Sequence, residues 1–153
     1  MPDAASTLRA ARPADWPAIA DLLSASALPL DGAREHLDHF IVVERAGALV
    51  GCAGVEPYGD AGLLRSVAVA DSERGRGVGQ QLVAACLEHA TATGLARLVL
   101  RTTTADRFFA RLGFERVAPD AVPAAVKAST QFQGGCCASA VTMQRQVGSH
   151  LSS

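Results

Sequence analysis

The chain has 153 residues, 49% of them hydrophobic and 19% charged, with a formal net charge of −1. Such a composition excludes a disordered chain, and the near-zero charge gives no electrostatic pull toward nucleic acid or an anionic membrane, so neither is expected as a partner. With no bilayer-length apolar run, no signal-peptide core in Met1 to Thr7, and cysteines only at 52, 86, 136 and 137, the expectation is one domain over 1–147 in a reducing cytoplasm, then a polar tail at 148–153.

Leu8 to Ala11 reads as a first strand, ending at Pro13. A helix follows with Ile19, Leu22 and Leu23 at helical spacing. Proline fits only a first turn, so Pro17 places the helix start near Asp15. Leu28 to Gly32 breaks that helix before a second short one, Ala33 to Asp38. Two strands come next, Phe40 to Glu44 and Leu49 to Glu56, separated by Ala46-Gly47. The turn formers of Pro57 to Gly62 lead into Leu63 to Val69, a short apolar run typical of a mostly buried strand. Beyond Asp71 to Gly79, Leu82, Val83, Cys86, Leu87 and Ala90 share one face of an amphipathic helix that Gly94 stops.

Ala96 to Thr103 is the following strand, Ala105 to Leu112 a short helix ended by Gly113, and Phe114 to Val117 another strand. Ala118 to Ala138 is the least regular stretch, with a short helix read near Ala124 to Ser129. Ser139 to Val147 is the last strand. Strands and helices alternate without forming only βα units, so a mixed sheet is expected.

The junction Arg74-Gly75-Arg76-Gly77-Val78-Gly79 joins a buried strand to an amphipathic helix. The first N–H groups of a helix lack partners inside it, and the macrodipole makes that end positive. Glycines let a phosphate approach the backbone, and arginines add charge at the rim, so the junction reads as an anion site. It fits neither the dinucleotide Gly-x-Gly-x-x-Gly nor the P-loop pattern.

That hexapeptide resembles the Arg/Gln-x-x-Gly-x-Gly/Ala pyrophosphate loop of the GNAT N-acetyltransferases. Phe108-Phe109-Ala110-Arg111-Leu112-Gly113-Phe114 is similar to the same family's Phe-Tyr-x-x-x-Gly-Phe segment. The resemblance implies an α/β (α+β) fold with a mixed, mostly antiparallel central sheet flanked by helices. It also implies acetyl-CoA as cofactor and a small-molecule amine as acetyl acceptor. The cofactor would contact Ser66, Val67, Ala68 and Val69 on the central strand, then Arg74, Gly75, Arg76, Gly77, Val78, Gly79 and Gln80. Thr102, Phe108, Phe109 and Arg111 complete that set. A narrower likeness, to the small acetyltransferases of bacterial arsenic-resistance operons, rests on Val55 to Gly59, Gly62 to Ser66, Thr102 to Ala105, and Cys136 with Ser139-Ala140. It implies an amine-bearing arsenical or amino-acid analogue as substrate, in detoxification.

Acetyl transfer needs a base for the amine proton and hydrogen bonds for the oxyanion. Glu56 has two readings: the base, or a cross-strand ion pair with Arg65. Tyr58, Arg65 and Thr103 are candidates for holding the substrate. Tyr58 equally suits a turn and Arg65 a structural pair, while Thr102, Thr103 and Thr104 favour local capping. At Phe109, many relatives carry a tyrosine able to protonate the leaving thiolate. His36 and His39 lack a third ligand, so no metal is expected. Adjacent Cys136 and Cys137 argue weakly for metalloid binding, since neighbouring side chains point apart in an extended chain. A homodimer is left open. The second reading of the whole chain is a catalytically silent module that binds acetyl-CoA or a metalloid.

Overall fold

Ser6–Ala10 forms β1, Trp16–Ala25 α1, Phe40–Arg45 β2, Ala48–Tyr58 β3 and Ala61–Val69 β4. Val78–Ala92 is α2, Arg97–Thr102 β5, Asp106–Arg111 α3, Glu115–Arg116 β6, Ala124–Lys127 α4 and Val141–Gln146 β7. This computed structural model describes residues 6–28, 30, 32–73, 75–127 and 140–147. The expectations that rest on Arg74, Ala128-Ser129, Cys136, Cys137 and the tail at 148–153 fall outside the described residues. The seven strands pair in the order β1-β2-β3-β4-β5-β7-β6. Pairing is parallel at β4–β5 and antiparallel at β1–β2, β2–β3, β5–β7 and β6–β7, which makes the mixed, mostly antiparallel sheet that was expected. Among the described residues, no helix is long and apolar enough to cross a membrane.

Packing divides the chain into two units, Met1–Val55 with Ser66–Cys86 and Glu56–Arg65 with Leu87–Ser153; β3 and β4 run through both. In the first unit, Ile19 and Leu23 of α1 pack with Phe40, Val42, Cys52 and Ala68. On β3 the neighbouring Gly51 serves the other face. A Cβ built there would lie 2.9 Å from Val78 and 3.0 Å from Leu82 of α2, so glycine lets the start of that helix sit against the strand. In the second unit, Ala61, Leu63 and Val99 pack with Val122 and Val126.

Four expectations on local structure need correction. The first strand is Ser6–Ala10, starting two residues and ending one residue earlier than read. Arg34–His39 forms 3-10 turns with non-helical angles at His36, so His36 and His39 do not share a regular helix face. The turn read over Pro57 to Gly62 shrinks to Gly59-Asp60, with Gly59 at φ +69°. Past Gly54 the pairing of β3 with β2 has ended, and the strand accommodates Pro57 beyond it. Finally, the strand read over Phe114 to Val117 is two residues long.

Candidate active site

In the first unit, a 3-10 turn at Asp71–Glu73 leaves β4, and Gly75-Arg76-Gly77 turns into α2. Gly75 and Gly77 have φ of +83° and +81°, a region that side-chain-bearing residues avoid. A Cβ at Gly75 would meet nothing within 4 Å, and one at Gly77 only the Gln80 Oε1 at 3.7 Å. Backbone conformation, not crowding, therefore requires these glycines, and the space beside them is open. The N–H of Gln81 donates to the Gly77 carbonyl at 3.0 Å and closes the first turn of α2. The amides of Gly79 and Gln80 precede that bond, at the end where a helix leaves its N–H groups without partners inside it.

Two residues that sequence reasoning missed hold the entry to this loop. Arg45 Nε donates to Glu73 Oε1 at 3.2 Å and Oε2 at 3.1 Å. Glu73 is buried, its N–H donates to the Ala70 carbonyl at 2.9 Å, and its carbonyl accepts from the Arg76 N–H at 3.1 Å. A carboxylate at the mouth of a basic loop is a local hint that a cation neutralises it. Nothing in the sequence points to Arg45 as that cation.

Ser66 of β4 is the second surprise. Its φ of +61° is uncommon for a residue with a side chain, and such strain concentrates at working sites. The Cys52 thiol donates to its carbonyl at 3.4 Å. Ser66 to Val69 otherwise continue β4, with Ser66 and Ala68 buried and Val67 and Val69 half-buried. The parallel pairing of β4 with β5 covers Ala61 with Arg97 to Leu63 with Val99, and both strands continue past it.

In the second unit, the tight hairpin brings Glu56, Tyr58 and Arg65 together. Arg65 Nη1 donates to Glu56 Oε2 at 2.6 Å, and the Tyr58 hydroxyl donates to Glu56 Oε1. Glu56 is 1% exposed and Arg65 3%, so this is a buried charge pair with a hydroxyl joined to it. Tyr58 is half-buried. Burial first, then the hydrogen bond to Glu56 and its charge, push its phenol well above the ordinary range, against a smaller opposing pull from Arg65. The hydroxyl keeps its proton at neutral pH.

The remaining candidates divide. Thr102 Oγ1 accepts from the Ala105 N–H at 2.9 Å and the Thr104 N–H at 3.4 Å, a local turn leading into α3 and not the helix cap expected of these threonines. Thr103 and Arg111 are exposed. Phe109 is 6% exposed and packs edge-on to Phe108 and Phe114, at ring centroid distances of 5.0 and 5.7 Å. Among the described residues, no group of three or more His, Cys, Asp or Glu side chains is placed to hold a metal.

Comparison with known proteins adds three findings. The family model described as "Acetyltransferase (GNAT) domain" matches residues 36–116, more than half of the chain. An amino-acid acetyltransferase of Neisseria meningitidis serogroup A is 30% identical over 126 residues, covering 76% of this chain and 29% of that protein. The chain spans less than a third of the length of the curated relatives it matches. Among solved structures, N-acetylglutamate synthase from Neisseria gonorrhoeae, complexed with coenzyme A and N-acetyl-glutamate, superposes with a TM-score of 0.81 at 24% identity, over 95% of this chain and 36% of that one. Rv2747 from Mycobacterium tuberculosis, solved in complex with CoA, gives 0.79 at 26% identity, over 92% of this chain and 99% of that one.

Proposed function

The chain belongs to the GNAT acetyltransferase family, and on that footing we propose that it transfers the acetyl group of acetyl-CoA to the amine of an amino acid. The observation that carries the cofactor half is the Gly75-Arg76-Gly77 turn, whose left-handed glycines lead into α2 with open space beside them. Amides and macrodipole there suit a pyrophosphate. The amino-acid half is supported by the amino-acid acetyltransferases to which the chain is similar. Ser66 to Val69 offer backbone groups to the pantetheine arm.

In the reaction the amine nitrogen bonds to the thioester carbon, the carbon–sulfur bond breaks, and CoA leaves as thiolate. The amine proton must go elsewhere. Glu56 is buried, and its bonded neighbour Tyr58 is half-buried, which supports a two-step path: the amine proton passes to the Tyr58 oxygen while the Tyr58 proton passes to Glu56. Arg65 holds the carboxylate in place for it.

Release of CoA on adding a primary amine is the primary test, and tight acetyl-CoA binding without turnover would leave the silent-module reading. Amino acids and an amine-bearing arsenical belong in one screen. The arsenic-operon likeness around Val55 to Gly59 supports the latter, which changes the acceptor and not the chemistry. Glu56→Gln should lower kcat by about a hundredfold, the usual size of a lost base, with acetyl-CoA affinity nearly unchanged. Tyr58→Phe should match it, and the double variant should be no worse than either. Normal turnover in Glu56→Gln would leave only the ion pair.

A further inference from the structure

We propose that Arg45 is a positioning residue for the acyl donor, acting through Glu73 to hold the loop that takes the donor's pyrophosphate; this rests on the acetyl-CoA reading above. By charge alone Glu73 is misplaced. It stands immediately before Arg74-Gly75-Arg76-Gly77, a stretch suited to an anion, and its own negative charge opposes one. Being 5% exposed, it gains little screening from water. Arg45, the last residue of β2, supplies the missing countercharge at 3.1 to 3.2 Å from both carboxylate oxygens.

The pair also sets geometry. The Glu73 N–H is bonded back to Ala70 and its carbonyl forward to Arg76, so fixing this one side chain fixes the path of the loop in both directions. Arg45 reaches it across 28 positions of sequence, from a strand paired on both sides, with β1 and β3. A strand is a stiffer anchor than a loop. If Arg45 is removed, the buried carboxylate loses that countercharge at the entry to the loop, and its negative charge repels an anionic ligand. Removing the charge of Glu73 as well removes the repulsion. Loss followed by recovery is therefore the signature of this device, and a general packing defect would not produce it.

The test compares two donors, acetyl-CoA and S-acetylpantetheine, which carries the same thioester and pantetheine arm without the pyrophosphate. In Arg45→Met, kcat/KM for acetyl-CoA should fall roughly tenfold or more through KM, while the value for acetylpantetheine stays within about twofold and KM for the amine does not move. Arg45→Met with Glu73→Gln should recover much of the acetyl-CoA value. Arg45→Lys, which keeps charge but loses the planar fork, should fall between and serves if Arg45→Met does not fold. Equal losses with both donors, or no loss with either, would overturn the proposal. A wild-type protein that shows no preference for acetyl-CoA over acetylpantetheine would overturn the pyrophosphate-loop reading instead, and this proposal with it.

Discussion

Phe109 stands where many family members carry a tyrosine acid, and its ring is buried between Phe108 and Phe114. In the proposed reaction CoA thiolate is a fair leaving group that solvent can protonate after departure, so positioning would carry the step without that acid. Phe109→Tyr should therefore change kcat by less than about tenfold, or about 1.4 kcal/mol of barrier, measured with one amine at saturating acetyl-CoA. A rise of several hundredfold would show that the missing hydroxyl limits the enzyme. Single residues differ in how much of their role the sequence discloses. The Glu56–Arg65 pair was foreseeable, because a short turn sets the ends of a hairpin opposite one another. The Tyr58 bond was not, since Tyr58 read as part of the turn. Nor was the positive φ of Ser66, because serine carries no mark of left-handed backbone.

At the scale of elements, chain entry into α1 is tied down by a small charge network in the first unit. Arg9 of β1 donates to Asp15 Oδ2 and Oδ1 at 2.8 and 3.0 Å and to Glu44 of β2 at 3.1 Å, while the Arg12 N–H donates to Asp15 at 2.7 Å. The Arg9 bond, outweighing burial and aided by the Arg12 amide, holds the Asp15 carboxyl down to about 2, against an ordinary 3.8. A carboxylate lowered in the folded state stabilises it above the unfolded value, and that gain is lost as pH falls toward the folded value. Asp15→Asn should thus cost on the order of 1 kcal/mol at pH 7, read from urea midpoints, and the deficit should shrink between pH 4 and pH 2. A deficit that does not vary with pH would assign the effect to packing. Helices and strands were largely readable because burial imposes their periodicity. Pro57-Tyr58 misled because proline and glycine mark a turn without marking its length, and the ladder that would have forbidden proline had already ended.

For the molecule as a whole, the sequence disclosed strand order least. β7 lies between β5 and β6, although β6 precedes it in the chain, and no local pattern encodes such an insertion. The division into two units is also invisible in sequence, because β3 and β4 pass from one to the other at Val55-Glu56 and Arg65-Ser66 with no linker or change in composition. The glycine loop and the aromatic segment, by contrast, are local and could be read directly. The buried cysteines bear on how such an enzyme is assayed. Burial pushes the Cys52 and Cys86 thiols up to about 12, so at pH 8 both remain protonated and nearly inert. An aromatic disulfide reagent added to count released CoA should take no signal from either while the first unit stays folded. Peptide mapping should find both unlabelled in buffer and both labelled in denaturant. Labelling of Cys52 or Cys86 in buffer would show that this core opens on the assay timescale. If they stay silent, neither core thiol adds to the yellow product in buffer, and both add to it in denaturant.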